Sequence, residues 1–459
     1  MHDMKHNTTK TKNMDMTTGR PLRMIILFTI PIILGNIFQQ LYNIGDAKVV
    51  SFYLDQNAFA SVGMTAVVSN MVIGLLNGFT QGFGILTANA FGAKDPERIR
   101  RNVAGAAVLT IIITAVLTLL SFLLIGKILI WLDTPDEMYD VALRYVRIIL
   151  IGIPFTALYN LSANLLRSLG DSRTPLYCLI ASILLNLGLD FLFIGAFGMG
   201  IEGAAIATVL SQAVCSTACF VYGLTHFREY LPGKGDWQLT GHEYRELFVI
   251  GLSMGLMGCI VNIGTIILQT AINGLGADIV AAQTAGRRLL DILMSLIYTY
   301  GFTMTTFTSQ NMGAGKSDRV RQGVRTAVGI VTVTSAVIIL FSFLFADSIV
   351  SWIASTDDTF ICENAAMYVK TGVCFFPVLG PLFILRCTLQ GKGQKVVPLA
   401  SSVMELVVKI LSVLLLVPWL GYFGVALTEP ISWVIMTTML TVGYIWSVRR
   451  DRITGNGSI

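Results

Sequence analysis

Of the 459 residues, 54% are hydrophobic and only 13% charged, the mean hydropathy is +0.70 and the formal net charge is +5. Such a chain has too little polar surface to clothe a soluble globule, so the bilayer is its expected solvent and an all-α membrane protein its expected fold class. The excess of 32 basic over 27 acidic residues is no nucleic-acid footprint, and seven scattered cysteines without a C-x-x-C pair read as small core hydrophobes.

In chain order, residues 1–21 form a tail too polar to be a signal peptide, which leaves the first span uncleaved. Apolar runs then predict twelve spans near 22–54, 57–90, 99–125, 139–166, 175–197, 200–226, 243–275, 278–311, 319–353, 361–390, 395–418 and 421–447. Each can cross about 30 Å of hydrocarbon, and the longest are expected to tilt or kink. Basic residues recur in alternate connections, because short cytoplasmic loops retain positive charge. They include Lys94, Arg98, Arg100 and Arg101 after span 2, Arg167 and Arg173 after span 4, and Arg228, Lys234 and Arg245 after span 6. Lys316, Arg319, Arg321 and Arg325 follow span 8; Arg386, Lys392 and Lys395 follow span 10. Acidic residues such as Asp133, Asp136 and Glu137 mark the intervening loops. Both termini are therefore expected in the cytoplasm, with the chain in the inner (cytoplasmic) membrane.

The halves repeat each other. TANAFGAKDPERIRRNV at Thr87–Val103 lies over TSQNMGAGKSDRVRQGV at Thr308–Val324 at an offset of 221, and Pro154, Gly170 and Pro175 match Pro377, Gly393 and Pro398 at 223. Six spans per copy give both the same orientation, hence two six-helix bundles related by a parallel pseudo-two-fold repeat. The expected units are an N-lobe at 22–226, a cytoplasmic linker at 227–242, a C-lobe at 243–447 and a cytoplasmic tail at 448–459.

GAGKS at Gly313–Ser317 looks like the end of a phosphate-binding loop, but Gln310 stands where the first glycine belongs and a spanning helix precedes it, so no nucleotide is expected. All four histidines lie outside the spans, which supports neither a metal site nor a membrane-embedded enzyme. Gly251-x-x-x-Gly255 reads as helix packing.

Polar residues inside spans carry the functional signal, since a buried charge in the bilayer is costly and defaults to function. Gln39, Tyr42, Asn43 and Asp46 form one stripe on span 1, and Asn70, Asn77 and Gln81 another on span 2. Asn160 and Asn164 on span 4, and Asn186 and Asp190 on span 5, have i, i+4 spacing, and Thr208 joins them from span 6. At 1.5 Å per residue, Asp46, Asp190 and Thr208 lie roughly 8–13 Å below the outer ends of their helices, so they can meet. Two carboxylates close together in low dielectric cannot both stay ionised cheaply, which suits a proton or Na⁺ site. In the second half, Arg287 with Asp291 and Glu405 with Lys409 are spaced for local ion pairs, with Asp291 and Glu405 as secondary coupling candidates.

IPIILGNIFQQLYNIGD, NAFGAKDPERIRRN, LRSLGDSRTP, GMGIEGAAIAT and QGKGQKVVP, in this order, resemble the multidrug and toxic compound extrusion transporters over nearly the whole chain. The resemblance implies a two-lobed antiporter that exports amphipathic or cationic small molecules against H⁺ or Na⁺ by alternating access, with no other cofactor. In the branch resembling DNA-damage-inducible-F transporters it implies a cation site at Asp46, Asn186, Asp190 and Thr208, with Tyr42 beside it. Gln39, Asn160 and Asn164 would be substrate contacts, and Pro31 the helix-1 bend. The other main branch uses acids on helices 7 and 10, which are lacking here beyond the outer-end Glu363. Expected partners are small amphipathic substrates and lipid, with no nucleic acid and a functional monomer. A lipid-linked saccharide flippase is the main alternative, but it would line its cavity with several cations; an enzyme ranks lower.

Overall fold

The computed structural model describes residues 14–53, 56–131, 134–354, 356 and 358–454, with the side chains at 43–44, 46–51, 56–68, 136 and 454 outside that description. Among the described residues there is no strand. The first half comprises α1 (Pro21–Tyr53), α2 (Gln56–Gly92), α3 (Pro96–Trp131), α4 (Asp136–Ser168), α5 (Arg173–Asp190) and α6 (Gly200–His226). The second comprises α7 (Gly241–Asn273), α8 (Ala277–Gly313), α9 (Ser317–Ala354), α10 (Thr359–Cys374), α11 (Phe376–Gly391), α12 (Val396–Leu411), α13 (Val417–Leu420) and α14 (Tyr422–Thr454).

These fourteen helices make twelve rods. The span expected at 361–390 is broken: α10 and α11 meet at a 54° bend. Pro377 opens α11 and has no N–H to continue the preceding turns. Span 11 instead passes from α12 to α13 through a π-helical turn, Ser412–Leu416, and α5 continues into a similar turn at Phe191–Ala196. Among the described residues ten helices are long and apolar enough to cross a bilayer, and the bent pair adds an eleventh. The remaining rod, α8, is 37 residues long and too polar for that test. Its polar side chains, among them Thr299, Thr303, Thr308, Ser309, Gln310 and Asn311, are buried against other helices rather than offered to lipid.

Two seams join the halves. Along one, α2 meets α7 glycine on glycine: a Cβ on Gly78 would stand 2.4 Å from the Gly255 Cα, and one on Gly82 2.7 Å from the Gly251 Cα. The Gly251-x-x-x-Gly255 spacing is thus a packing surface within the chain. Along the other, α1 meets α8 through hydroxyls and amides. Thr29 Oγ1 and Thr303 Oγ1 are 2.8 Å apart, and Asn36 Nδ2 donates to Thr299 Oγ1 at 2.8 Å. Where α2 and α8 end they touch backbone to backbone, so that a Cβ on Gly92 would strike the Gln310 carbonyl and one on Gly313 the Asn89 carbonyl.

The segment Met14–Gly19 lies as a strap across these ends. The Met14 N–H donates to the Gly170 carbonyl at 3.3 Å, and the wholly buried Met16 donates its N–H to Gln310 Oε1 at 3.0 Å. Gln310 Nε2 donates in turn to the Ser168 carbonyl at 2.9 Å. Asn311 and Arg319 donate to the Met16 carbonyl, Lys316 to that of Thr17, and Arg319 also to those of Thr18 and Gly19. The linker is fastened as well, by Arg100 to Asp236 at 3.1 Å and Arg101 to Glu243 at 2.6 Å.

Candidate functional site

The first half encloses two adjoining cavities lined by the amide stripes. One, of about 370 Å³, has Tyr42, Asn70, Asn160, Asn186 and Gln212 in its wall. The other, of about 270 Å³, is walled by Asn36, Asn77, Gln81, Asn164 and Arg167, and by Phe302, Thr305 and Thr306 of α8, so it lies on the junction of the halves. Gln39, Tyr159 and Asn160 line both, so the two are neighbours. Helical spacing explains the lining: Asn160, Asn164 and Arg167 recur every three or four residues and share one face of α4. Asn164 is held by a 3.0 Å bond from its Nδ2 to Thr80 Oγ1, and Thr156 Oγ1 donates to Gln212 Oε1 at 2.6 Å.

At the end of α5, Asp190 is wholly buried and Asn186 is 1% exposed. With its amide turned to suit its neighbours, Asn186 donates to Asp190 Oδ2 at 3.0 Å and accepts from the Thr208 backbone N–H at 3.2 Å. Thr208 Oγ1 is 3.5 Å from the Asn186 amide. Asn186, Asp190 and Thr208 are thus brought together, beside a cavity whose wall contains Asn186, Tyr42 and Gln39. The π-helical turn Phe191–Ala196 begins directly after Asp190, a local unwinding that commonly accompanies functional positions. Asp46 and Asn43 stand on α1, but their side chains lie outside the described residues. Pro31 sits inside α1 without ending it.

The second half holds a charged cluster. Arg287 bonds Asp291 at 2.8 Å and Glu429 at 2.6 Å; Lys409 lies 3.0 Å from Glu405 and 3.9 Å from Glu429; Arg386 lies 3.9 Å from Glu405. Both local pairs expected from the sequence form, yet they are parts of a larger network. Two of the basic residues counted with the loops line cavities instead. Arg167 occupies the last turn of α4 and lines the junction cavity, and Arg386 is 7% exposed within α11. Helices that run past the apolar stretch carry such residues inward. Glu429 is the member of the cluster that sequence reasoning missed, although an acid inside the apolar run 421–447 is a usable signal.

Twelve rods in two repeated halves, with amide-bearing cavities inside and at their junction, define a multi-spanning membrane transporter. The chain matches the MatE family over residues 31–192 and again over 253–415, one match per half, and it belongs to that family. Among similar proteins, Probable multidrug resistance protein YpnP of Bacillus subtilis (strain 168) is 26% identical over 423 residues, covering 91% of this chain and 93% of that one. Probable multidrug resistance protein YoeA of the same organism is 26% identical over 393 residues, covering 83% of each. A solved structure of the outward-facing conformation of a multidrug resistance MATE family transporter of the MOP superfamily shares the fold. Its TM-score is 0.89 at 23% identity, over 96% of this chain and 98% of that one.

Proposed function

We propose that this MatE-family chain is a secondary antiporter that exports amphipathic or cationic small molecules from the cytoplasm in exchange for H⁺ or Na⁺. The observation that carries the reading is a fully buried carboxylate, Asp190, hydrogen-bonded to an amide in the wall of a cavity that other amide side chains also line. A carboxylate placed there favours a proton or cation, and an ion whose affinity differs between two conformations can drive a cycle. Asp46, Asp190, Asn186, Thr208 and Tyr42 form the coupling site, and Gln39, Asn160 and Asn164 contact substrate. One cation, Arg167, lines these cavities among the described residues, which favours amphipath export over a pyrophosphate carrier. Asp291 and Glu405 serve packing, since each is already neutralised by a basic neighbour.

The chain works as a monomer with both termini in the cytoplasm, its N-lobe at 22–226 and C-lobe at 243–447 rocking about the junction, and α1 bending at Pro31. Reconstitution in vesicles with a pH or Na⁺ gradient imposed separately tests the reading. Asp190→Asn and Asp46→Asn should insert normally yet lose gradient-driven export, and the double variant should be little worse than either, because the two carboxyls act as a unit. Wild-type gradient dependence in both single variants would sink the N-lobe site.

A further inference from the structure

The second half carries an open cavity of about 310 Å³, at the small end of ligand sites, whose wall includes Arg287, Arg386, Lys409, Glu405 and Glu429. At the offsets of the repeat, Lys409 stands where the first half has Asn186, and Glu429 where it has Thr208, with Gly424 matching Gly203. The same place in the two halves therefore carries different chemistry. In the first half a buried acid is met by an amide that in turn meets Thr208. In the second, three cations meet three acids once Asp291, bonded to Arg287, is included. A cluster balanced in this way has no net pull on a lone cation or a lone anion.

Two groups in it are nonetheless unfinished. Arg386 Nη2 and Glu429 Oε2 have no hydrogen-bond partner among the described residues, and both side chains are 8% exposed. Arg386 donates its Nε–H to Ser401 Oγ at 3.1 Å, and the carboxylate nearest its Nη2, Glu405, is 3.9 Å away and already bonded by Lys409. Glu429 gives its other oxygen to Arg287. A buried donor and a buried acceptor left open are costly, and a ligand that supplies the opposite charge to each recovers that cost. Apart from Asn262 and Thr265, the rest of the wall is apolar and adaptable, with Trp433, Phe383 and the methionines Met257, Met294 and Met436 suited to an aromatic or aliphatic body.

We infer that this second-half cavity binds a zwitterionic amphiphile, its carboxylate on Arg386 and its ammonium on Glu429. The inference rests on the export reading for what becomes of the ligand, but not for whether it binds.

The test is calorimetric titration of the full chain in lipid nanodiscs, without any gradient. Three probes share one ring: phenylalanine carries both charges, 3-phenylpropanoate the carboxylate alone and 2-phenylethylammonium the ammonium alone. Phenylalanine should bind roughly tenfold or more tightly than either of the others. Arg386→Gln should remove that advantage while leaving 2-phenylethylammonium unchanged, and Glu429→Gln should remove it while leaving 3-phenylpropanoate unchanged. Those retained affinities show that each variant is folded. Equal binding of the three probes by the wild-type chain, or none, overturns the inference whatever the variants do. So does a loss of all three affinities together in a variant whose thermal unfolding is normal. Because no gradient is present, failure here leaves the Asp190 experiment standing, and failure there leaves this one standing.

Discussion

Lys94 illustrates how a repeat exposes strain in one of its copies. Its φ is +56°, in the left-handed region, and the residue at the same place in the second half is Gly315 with φ +69°. A side chain there costs about 1 kcal/mol relative to glycine. Lys94→Gly should therefore raise the unfolding midpoint, a gain of about 1 kcal/mol reduced by glycine's larger unfolded-state entropy, as thermal scanning in detergent would record. A lowered midpoint would mean that contacts of the lysine side chain outweigh its backbone strain. The same scale shows what single residues reveal before folding. Asn186, Asp190 and Thr208 were legible because a polar group inside an apolar run must find its partners within the protein, and helical spacing tells which residues share its face. Arg386 was not, because it lies four residues before the chain turns polar at Gln390, where a buried cation and a loop cation look alike. Only the position of α12, which brings Ser401 and Glu405 to it, decides between them.

At the scale of helices, the two seams solve one packing problem in two chemistries. Thr299 and Thr303 occupy, at the repeat offset of 221, the places of Gly78 and Gly82, so hydroxyls knit one seam where bare backbone closes the other. The consequences of mutation should differ accordingly. Gly78→Val has no space for its side chain and should cost at least about 2 kcal/mol, whereas Thr303→Ala loses a hydrogen bond worth about 1 kcal/mol. Denaturation of the two variants side by side gives the comparison, and equal losses would contradict a backbone-tight glycine seam. Each four-residue glycine spacing could be read from the sequence, but not that α2 and α7 would be partners, since that is set by tertiary packing. The span of α8 was legible at 278–311, but not why so polar a helix is tolerated: its surroundings, rather than its own residues, keep it out of lipid. The break between α10 and α11 was not legible: Pro377 marks only the repeat, inside one span at 361–390, and the 54° bend comes from the structure.

For the whole molecule, one amide holds three parts together. Gln310 of the second half accepts from the Met16 N–H in the strap and donates to the Ser168 carbonyl in the first half. In the proposed alternating-access cycle the ends of α2 and α8 must part, so these bonds would favour the closed state. Gln310→Ala removes both, about 2 kcal/mol together, and should shift the closed-to-open ratio roughly tenfold or more toward open. Spin labels at Ala93 and Asp318, both exposed beside the closed ends, would report the longer distance; an unchanged distribution would show that the strap does not bias the cycle.

The strap also reverses the order of synthesis. Met16 finds its partners 294 to 303 residues further along the chain, on α8 and α9. At ribosomal speed those arrive roughly 15–60 s later. The strap is therefore seated only after α8 and α9 have been made, and its seat exists only in a chain whose second half has entered the membrane. Its docking marks the moment when the two halves of an inserted chain are tied together.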